Sequence, residues 1–247
     1  MQTVGKIVVI TGAGSGLGRA TARVLLDQGH RVVLAGRRPG ALTETAGGHP
    51  NARVTPTDVT DPASAKALFD DTVATFGRVD VLFNNAGVFG PSASVAQIDD
   101  DGWHQTWRAN VDGSVFCARE AVRAMTAQLP RGGRIINNGS LSAHRPRPNS
   151  LAYTVTKHAI TGLTASMLLD LRDLDISVTQ IDIGNAATAM TSGFSQTLQA
   201  NGTLAAEPTF DAVHVATSIA HLIDLPLDVS VPQLTIMARG MPFHGRG

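Results

Sequence analysis

Residues 6–18 read KIVVITGAGSGLG, an apolar run that leads into a turn with four glycines. The run Lys6–Ile10 has no polar–apolar alternation, which predicts a strand buried on both faces. A helical segment, Arg19–Gln28, follows the turn. Glycines let a backbone approach a phosphate closely, and a helix N-terminus offers free N–H groups and partial positive charge. The stretch therefore predicts a strand–turn–helix unit that binds phosphate; a glycine turn without a ligand is the alternative.

The candidate phosphate-binding residues lie in the turn and at the start of the helix. They are Thr11, Gly12, Gly14, Ser15, Gly16, Leu17 and Gly18. Their spacing is T-G-x-x-x-G-x-G. It differs from the common dinucleotide pattern G-x-G-x-x-G because position 17, where that pattern has its last glycine, is leucine.

Strand-like and helix-like segments alternate along the rest of the chain, which predicts an α/β fold. Further strands are expected at Arg31–Ala35, Ala52–Thr55, Val79–Phe83, Arg134–Asn138, Ile176–Ile181 and Gln233–Met237. Long helices are expected at Pro62–Phe76 with Asp61 as N-cap, at Gly102–Ala127, at Ser150–Asp173 and at Phe210–Ile223. No linker or repeat divides the sequence, so we expect one domain over residues 1–247.

Composition describes a globular protein with a substantial core, at 43% hydrophobic and 16% charged residues. The net charge is zero, which gives no electrostatic basis for binding nucleic acid or an anionic membrane. No apolar run approaches the ~18 residues of a membrane span, and the start shows no signal-peptide layout. The lone cysteine, Cys117, excludes an internal disulfide and favours a cytoplasmic location. Its expected role is a small buried side chain; a nucleophile is the alternative.

Two arginines, Arg37 and Arg38, follow the second strand directly after Gly36. In a dinucleotide site this strand end meets the adenosine ribose. An acidic residue there binds the 2′-hydroxyl, and arginine binds a 2′-phosphate. The arginines therefore favour NADP(H), with NAD(H) as the other possibility and a pair of solvated arginines as the alternative to both.

The segment Tyr153-Thr154-Val155-Thr156-Lys157 places a phenol and an ammonium group on one face of a helix, because four residues nearly complete a turn. A nearby positive charge favours the phenolate, so this pair suits proton transfer. Tyr153 is the only tyrosine, and the only lysines are Lys6, Lys66 and Lys157. An amphipathic pair on a solvated face is the competing interpretation.

Other candidate residues lie at the ends of predicted strands. The turn Asn84-Asn85-Ala86-Gly87 follows the fourth strand, where open α/β sheets bind ligands, although asparagine is also an ordinary turn former. Asn110 lies inside a predicted helix, where it forms helix poorly, which indicates a specific hydrogen-bonding task. Ser140 follows the fifth strand, and His144 beyond it is either a pocket residue or an exposed loop histidine.

These motifs together resemble the short-chain dehydrogenase/reductase family over essentially the full chain. The resemblance rests on Thr11-Gly12-x3-Gly16-x-Gly18, on Asp58-Val59, on Asn84-Asn85-Ala86-Gly87, and on Asn110, Ser140, Tyr153 and Lys157. It implies a Rossmann-type doubly wound, seven-stranded parallel sheet with helices on both faces. It also implies a catalytic set of Asn110, Ser140, Tyr153 and Lys157. Asp58 and Val59 would contact the adenine ring, Asn85, Ala86 and Gly87 would face the cofactor, and the protein would be a homo-oligomer, a dimer or a tetramer.

One segment departs from the family pattern. Many members carry Pro-Gly after the sixth strand and then a threonine that holds the nicotinamide carboxamide. Here Gly184 and Thr188 are present, but Ile183 replaces the proline, which leaves the loop less restrained in φ. Residues 184–206 are expected to form a flexible flap over the substrate.

The resemblance implies hydride transfer between a nicotinamide cofactor and a carbonyl or alcohol. Ser140 would donate a hydrogen bond to the substrate oxygen, Tyr153 would be the general acid and base, and Lys157 would lower the pKa of Tyr153 and hold the ribose hydroxyls. Asn110 would seat a water molecule, and no metal is expected. The small apolar content of the surrounding loops favours an uncharged substrate: Val88, Phe89, Leu141, Ala143, Met190 and Phe194.

Three alternatives remain open from the sequence. The first is an NAD-dependent alcohol dehydrogenase of the same family, for which Arg37 and Arg38 would be idle. The second is a protein that senses NADP(H) without turnover, which would not need Ser140, Tyr153 and Lys157 together. The third is an epimerase or dehydratase, whose sugar-nucleotide substrate normally requires a larger C-terminal part than follows the flap.

Overall fold

Seven parallel strands form one sheet in the computed structural model, which describes residues 5–191, 197–198 and 202–243. The strands are β1 Ile7–Thr11, β2 Arg31–Gly36, β3 Ala52–Pro56, β4 Val81–Asn84, β5 Gly133–Asn138, β6 Ile176–Gly184 and β7 Gln233–Met237. Their order across the sheet is β7-β6-β5-β4-β1-β2-β3, and each neighbouring pair is parallel. This arrangement confirms the predicted doubly wound α/β fold.

Helices cover both faces of the sheet. They are α1 Gly16–Asp27, α2 Pro39–Ala46, α3 Pro62–Phe76, α4 Asp100–Trp107, α5 Gly113–Ala127, α6 Leu151–Asp170 and α7 Ala212–Asp224. A π-helical turn occupies Arg108–Asp112, and 3₁₀ turns occupy Leu141–Ala143 and Arg172–Leu174. Helix α6 therefore ends at Asp170, before the predicted end at Asp173. The predicted N-cap is confirmed, because the Asp61 side chain accepts hydrogen bonds from two N–H groups of α3.

The core has two layers, one on each face of the sheet. In β1, Val8 and Ile10 face the layer that contains α1 and α7, whereas Val9 faces the layer of α3, α5 and α6. Strands that are buried on both faces need apolar residues without alternation, which is the pattern of the sequence. Cys117 is fully buried in the second layer. Burial raises the pKa of its thiol to about 12, so it acts as a small core residue, as expected.

The position of the ligand site follows from the strand order. Strand β1 lies between β2 and β4, so the chain leaves β1 toward one side of the sheet and leaves β4 toward the other. A crevice opens at the carboxyl ends of the strands at such a switch point. The glycine turn after β1 and the turn Asn85–Gly87 after β4 both lie there.

The helix predicted over Gly102–Ala127 is interrupted by the π-helical turn Arg108–Asp112. The side chain of Asn110 explains the interruption. Its Oδ1 accepts from Val88 N at 2.8 Å, and its Nδ2 donates to Val88 O at 2.9 Å and to Thr156 Oγ1 at 3.0 Å. An extra residue in the turn lets this buried amide reach both the loop after β4 and helix α6.

Strand β6 is three residues longer than the predicted Ile176–Ile181, and it ends at Gly184. Ile183 pairs with Ile236 of β7, and Gly184 pairs with Met237. Proline has no N–H to donate to a ladder, whereas isoleucine has one and favours extended backbone. Ile183 therefore lies in a paired strand and not in a loosened loop.

Two short strand pairs organise the predicted flap of residues 184–206. Ala186–Ala187 pairs in parallel with Phe210–Asp211, which joins the two ends of the segment. Thr197–Leu198 pairs in antiparallel fashion with Leu204–Ala205 within it. Phe194, one of the predicted pocket residues, lies outside the described residues. Backbone pairing of Ala186–Ala187 with Phe210–Asp211 thus joins the start of the flap to the residues that follow its end.

Gly18 offers a test of how tightly α1 packs on the glycine turn. A Cβ there would lie 2.4 Å from Gly12 O and 2.8 Å from Asn85 Nδ2. We expect Gly18→Ala to lower the free energy of unfolding by about 1–3 kcal/mol, because the helix must move away from the turn. Urea denaturation followed by circular dichroism measures this.

Gly40→Ala is the matched control, since Gly40 lies in α2 and a Cβ there would meet nothing within 4 Å. It should leave stability unchanged or raise it by up to about 1 kcal/mol. Equal effects of the two substitutions would contradict close packing at Gly18.

Candidate active site

Two adjoining cavities lie along the carboxyl edge of the sheet. The larger encloses about 1050 Å³ and the smaller about 700 Å³, each including its open mouth. Both are lined by Gly12, Ser15, Ala86 and Gly87, so they are two halves of one elongated site. Such a site suits a long ligand that crosses the end of β1.

The glycine turn fits a pyrophosphate group at the junction of the two cavities. Gly12 has φ +67°, a conformation that favours glycine. Ser15 caps α1 without a side-chain hydrogen bond, so the N–H groups of the first turn stay available for a ligand. A Cβ at Gly12 would lie 3.0 Å from Ala86 Cα, so the absence of side chains lets the two turns approach each other.

Two predicted cofactor residues, Thr11 and Gly18, do not line the cavities. Thr11 is fully buried, and its hydroxyl accepts hydrogen bonds from Asn85 N and Ala86 N, each at 2.9 Å. Asn85 Nδ2 donates in return to Thr11 O at 2.8 Å. These residues hold the ends of β1 and β4 together and so shape the site indirectly.

The smaller cavity brings together the predicted adenosine-binding residues. Arg37, Arg38, Asp58 and Val59 line it together with Gly14. Both arginines are exposed at the start of α2, and among the described residues neither forms an ion pair. Their charge is available to an anionic group at this end of the site.

Ser140, Tyr153 and Lys157 meet in the larger cavity, as the sequence predicted. The Ser140 hydroxyl faces the phenol of Tyr153 and lowers its pKa. Lys157 Nζ donates to Asn138 O at 2.7 Å and lies 5.5 Å from the centre of the Tyr153 ring. Phe89 stacks on the Tyr153 ring, with centroids 4.8 Å apart.

Burial shifts the pKa values of Tyr153 and Lys157 in opposite directions. It raises the pKa of Tyr153, against the smaller effects of the Ser140 hydroxyl and the Arg147 charge. It lowers the pKa of Lys157 to about 8, against the opposing charge of Asp182. Both shifts favour the neutral forms, which is typical of groups that exchange protons.

The predicted carboxamide-binding residues also face the larger cavity. Thr188 and Gly184 line it, and Thr188 Cγ2 would lie 3.5 Å from a Cβ at Gly16. Asn110 does not line either cavity, because its amide is occupied by Val88 and Thr156 behind Gly87.

A sequence profile of the short chain dehydrogenase family matches residues 6–199 of this sequence. The chain belongs to the short-chain dehydrogenase family. It is therefore a nicotinamide-dependent oxidoreductase that acts on hydroxyl or carbonyl groups.

Two similar proteins illustrate the range of the short-chain dehydrogenases. A 3beta-hydroxysteroid dehydrogenase of Mediterraneibacter gnavus is 36% identical over 192 residues, which cover 75% of this chain and 68% of that protein. An uncharacterized oxidoreductase of Staphylococcus aureus is 30% identical over 233 residues, which cover 94% of this chain and 96% of that protein.

Solved structures of the family share the fold closely. A variant of the actinorhodin polyketide ketoreductase with NADPH gives a TM-score of 0.83 at 25% identity, covering 96% of this chain and 97% of that chain. The 3-ketoacyl-(acyl-carrier-protein) reductase of Brucella melitensis complexed with NADH gives 0.82 at 23% identity, covering 94% and 96%. The two structures carry different nicotinamide cofactors.

Two features of this short-chain dehydrogenase were missed by the sequence reasoning. The first is an ion pair between Arg147 and Glu207, whose side chains are 11% and 2% exposed. Asn185 completes it, with Oδ1 accepting from Arg147 Nη2 at 2.8 Å and Nδ2 donating to Glu207 Oε2 at 2.8 Å. The pair joins the loop before α6 to the end of the flap.

The second is the buried carboxylate of Asp182, which contacts Ser140, His144 and Gln233. His144 is thus held by Asp182 and is neither a free loop residue nor a residue of the larger cavity. The only sequence signal for the second feature was the charged residue Asp182 close to Gly184. This signal did not identify the partners of Asp182.

No group of three or more His, Cys, Asp or Glu side chains within residues 5–191, 197–198 and 202–243 could hold a metal ion. Over the same part of the chain, no helix combines the length and the apolar character needed to cross a membrane.

The Arg147–Glu207 pair predicts a non-additive response to substitution. Arg147→Met removes the Arg147 cation from beside the buried Glu207 carboxylate, and we expect a loss of about 3–5 kcal/mol in the free energy of unfolding. Arg147→Met combined with Glu207→Gln removes both charges and keeps an oxygen that can accept from Asn185. The double variant should recover more than half of the loss in urea denaturation. A double variant as unstable as the single one would contradict a charge-based role.

Proposed function

We propose that this protein is an NADP(H)-dependent oxidoreductase that interconverts a ketone or aldehyde and an alcohol, with Tyr153 as the general acid and base. The observation that carries the proposal is the meeting of Ser140, Tyr153 and Lys157 in one cavity that adjoins the glycine turn. A dinucleotide bound along both cavities would present its nicotinamide end beside Tyr153.

The nicotinamide cofactor supplies the hydride when it is bound. In the reductive direction the Ser140 hydroxyl donates a hydrogen bond to the substrate oxygen and polarises the carbonyl. Tyr153 then gives its proton to that oxygen. Because burial raises the pKa of Tyr153, the phenol stays protonated at neutral pH and is available as an acid.

Lys157 contributes a positive charge and a hydrogen-bond donor. With a pKa of about 8 it is mostly charged at neutral pH, and its charge favours the tyrosinate that forms after proton transfer. Its ammonium group would also hold the ribose hydroxyls of the cofactor. Gly184 and Thr188 would receive the carboxamide. Asn110, expected from the sequence to seat a water molecule, has its amide bonded to Val88 and Thr156 and would instead support the site from behind Gly87.

The choice of NADP(H) rests on Arg37 and Arg38 at the mouth of the smaller cavity. A 2′-phosphate adds two negative charges beside these guanidinium groups, and no carboxylate among the described lining residues stands where the ribose 2′-hydroxyl would need one. Asp58 is occupied by Thr60, to whose N–H and hydroxyl its Oδ1 is bonded. An NAD-dependent alcohol dehydrogenase is the second candidate, since a solved relative carries NADH.

The substrate we propose is an uncharged carbonyl compound or alcohol. Phe89, Ile183 and Met190 give the larger cavity apolar walls. The charge of Arg147 in the same cavity is compensated by Glu207. The steroid dehydrogenase among the relatives acts on a substrate of this polarity by its name, which supports the assignment.

The protein is also proposed to be a cytoplasmic homo-oligomer, a dimer or a tetramer. Helices α5 and α6 expose Val115 and Leu169, which a second copy would cover. A single buried cysteine suits the reducing cytoplasm.

The cofactor assignment predicts that NADPH binds at least about tenfold more tightly than NADH, a difference of ~1.4 kcal/mol. Arg37→Ala combined with Arg38→Ala should remove this difference by weakening NADPH alone. Fluorescence titration of the purified protein measures both constants. Arg172→Ala removes an exposed arginine beyond the far end of α6 and is the control. NADH binding as tight as NADPH in the wild type would turn the assignment to NAD-dependent alcohol oxidation.

The catalytic assignment predicts that Tyr153→Phe abolishes turnover. The substitution removes the acidic proton and little volume, so the affinity for NADPH should stay within about twofold of the wild type. Turnover is followed by NADPH absorbance with a panel of uncharged ketones. Normal turnover in this variant would exclude Tyr153 as the acid; tight NADPH binding with no turnover of any carbonyl in the wild type would favour a cofactor-sensing protein.

A further inference from the structure

A fully buried carboxylate, that of Asp182 on β6, lies behind the candidate catalytic serine. Its Oδ1 accepts from Ser140 N at 3.0 Å and from Gln180 Nε2 at 2.8 Å. Its Oδ2 accepts from Gln233 Nε2 at 2.6 Å and lies 2.8 Å from His144 Nε2. Three N–H donors, and a fourth when His144 carries its proton on Nε2, match the roughly four acceptor sites of an ionised carboxylate, so the group is satisfied without a substrate.

The first consequence concerns the backbone at Ser140. Gly139 N donates to Ile181 O at 2.9 Å, and the next N–H, that of Ser140, donates to Asp182. Two consecutive hydrogen bonds to β6 therefore fix the peptide that carries the serine hydroxyl. A Cβ at Gly139 would lie 2.1 Å from Asp182 Oδ1, so glycine is required for the carboxylate to come this close.

The second consequence concerns charge. Burial lowers the pKa of Lys157, and the negative charge of Asp182 opposes that shift. The other charged or titratable groups that face this region are His144 on the loop after β5 and Tyr153 on α6. The Arg147–Glu207 pair lies across the larger cavity and has no net charge. Lys157 Nζ is bonded to Asn138 O, and Asp182 is bonded to the N–H of Ser140 two residues further along, so the ammonium and the carboxylate hold the same end of β5. Asp182 is therefore the negative charge that counteracts the burial of Lys157.

We propose that Asp182 is a positioning residue of the active site, which fixes the backbone of Ser140 and keeps Lys157 charged. The catalytic part of this inference rests on the proposed function. The electrostatic part does not, because it can be measured on the protein without cofactor or substrate.

The test uses the small number of lysines in the chain. Isotope labelling of lysine at Cε gives signals from Lys6, Lys66 and Lys157, and the signal lost in Lys157→Arg identifies the last. Asp182→Asn keeps an oxygen for Ser140 N–H and removes the charge; the Gln233 amide can turn to accept from the new amide. We expect the NMR titration midpoint of Lys157 to reflect its lowered pKa of about 8 in the wild type and to fall by roughly half a pH unit or more in this variant.

Two further variants separate charge from position. Asp70→Asn makes the same change of charge at an exposed site on α3 and should leave the midpoint where it is. Asp182→Ser removes the charge and is too short to accept from Ser140 N–H. It should lower the midpoint as Asp182→Asn does and reduce kcat for ketone reduction at least about tenfold further. It also provides a folded alternative if the asparagine is not accommodated.

A midpoint in both Asp182 variants equal to that of the wild type would overturn the electrostatic role. Equal kcat values in Asp182→Asn and Asp182→Ser would overturn the positioning role. A carboxylate with a structural task alone would change the free energy of unfolding and leave the Lys157 midpoint unmoved. If the wild type reduces no carbonyl, the proposed function fails, and the lysine titration still decides the electrostatic half.

Discussion

A row of hydrogen bonds runs along the carboxyl edge of the sheet, from β1 through β4 to β5 and on to α6. The Thr11 hydroxyl holds two N–H groups of the turn after β4, and Asn85 Oδ1 accepts from Asn138 Nδ2 at 3.0 Å. Asn138 O in turn accepts from Lys157 Nζ. Each bond joins elements that are far apart in sequence, so the crevice, the glycine turn and the catalytic helix keep a fixed relation. The geometry of the site depends on this row of hydrogen bonds. The strand ladders fix the strands themselves, and the row fixes the turns and side chains beyond their carboxyl ends.

The site contains polar and charged side chains that are buried away from water. Its chemistry follows from the hydrogen-bond and ion-pair partners that each of them has. A buried charge without a partner destabilises the fold, and the buried charges around the candidate catalytic residues are paired. Arg147 has Glu207, and Asp182 accepts from Ser140 N, Gln180 Nε2 and Gln233 Nε2. Lys157 and Tyr153 are compensated less completely, and burial therefore moves the pKa of each toward its neutral form. The satisfied groups thus fix the shape of the site, whereas Lys157 and Tyr153 are the groups for which we propose proton transfer.

Sequence patterns predicted the strands and the glycine turn, because each depends on local periodicity or on a fixed spacing. The grouping of Ser140 with Tyr153 was implied by the family resemblance. The N-cap Asp61 was again predictable from local spacing. The π-helical turn at Asn110 was not, since its cause is a set of bonds to Val88 and Thr156, residues 22 and 46 positions away. Arg147 and Glu207 are 60 positions apart in loops without periodicity, so the sequence around one of them does not predict contact with the other. The end of β6 was misjudged because the effect of Ile183 on sheet pairing depends on a partner strand near the C-terminus.

The contact between Gly139 and Asp182 links two positions that are distant in sequence but cannot vary independently. Any side chain at 139 would occupy the space of the carboxylate, and a smaller residue at 182 would leave a cavity beside a flexible glycine. Loss of the aspartate alone would not open position 139 to a larger residue, because a Cβ there also lies 3.0 Å from the Gln180 side chain. Glycine at 139 is thus the shared neighbour of two side chains of β6, and substitutions at the three positions are coupled by sterics.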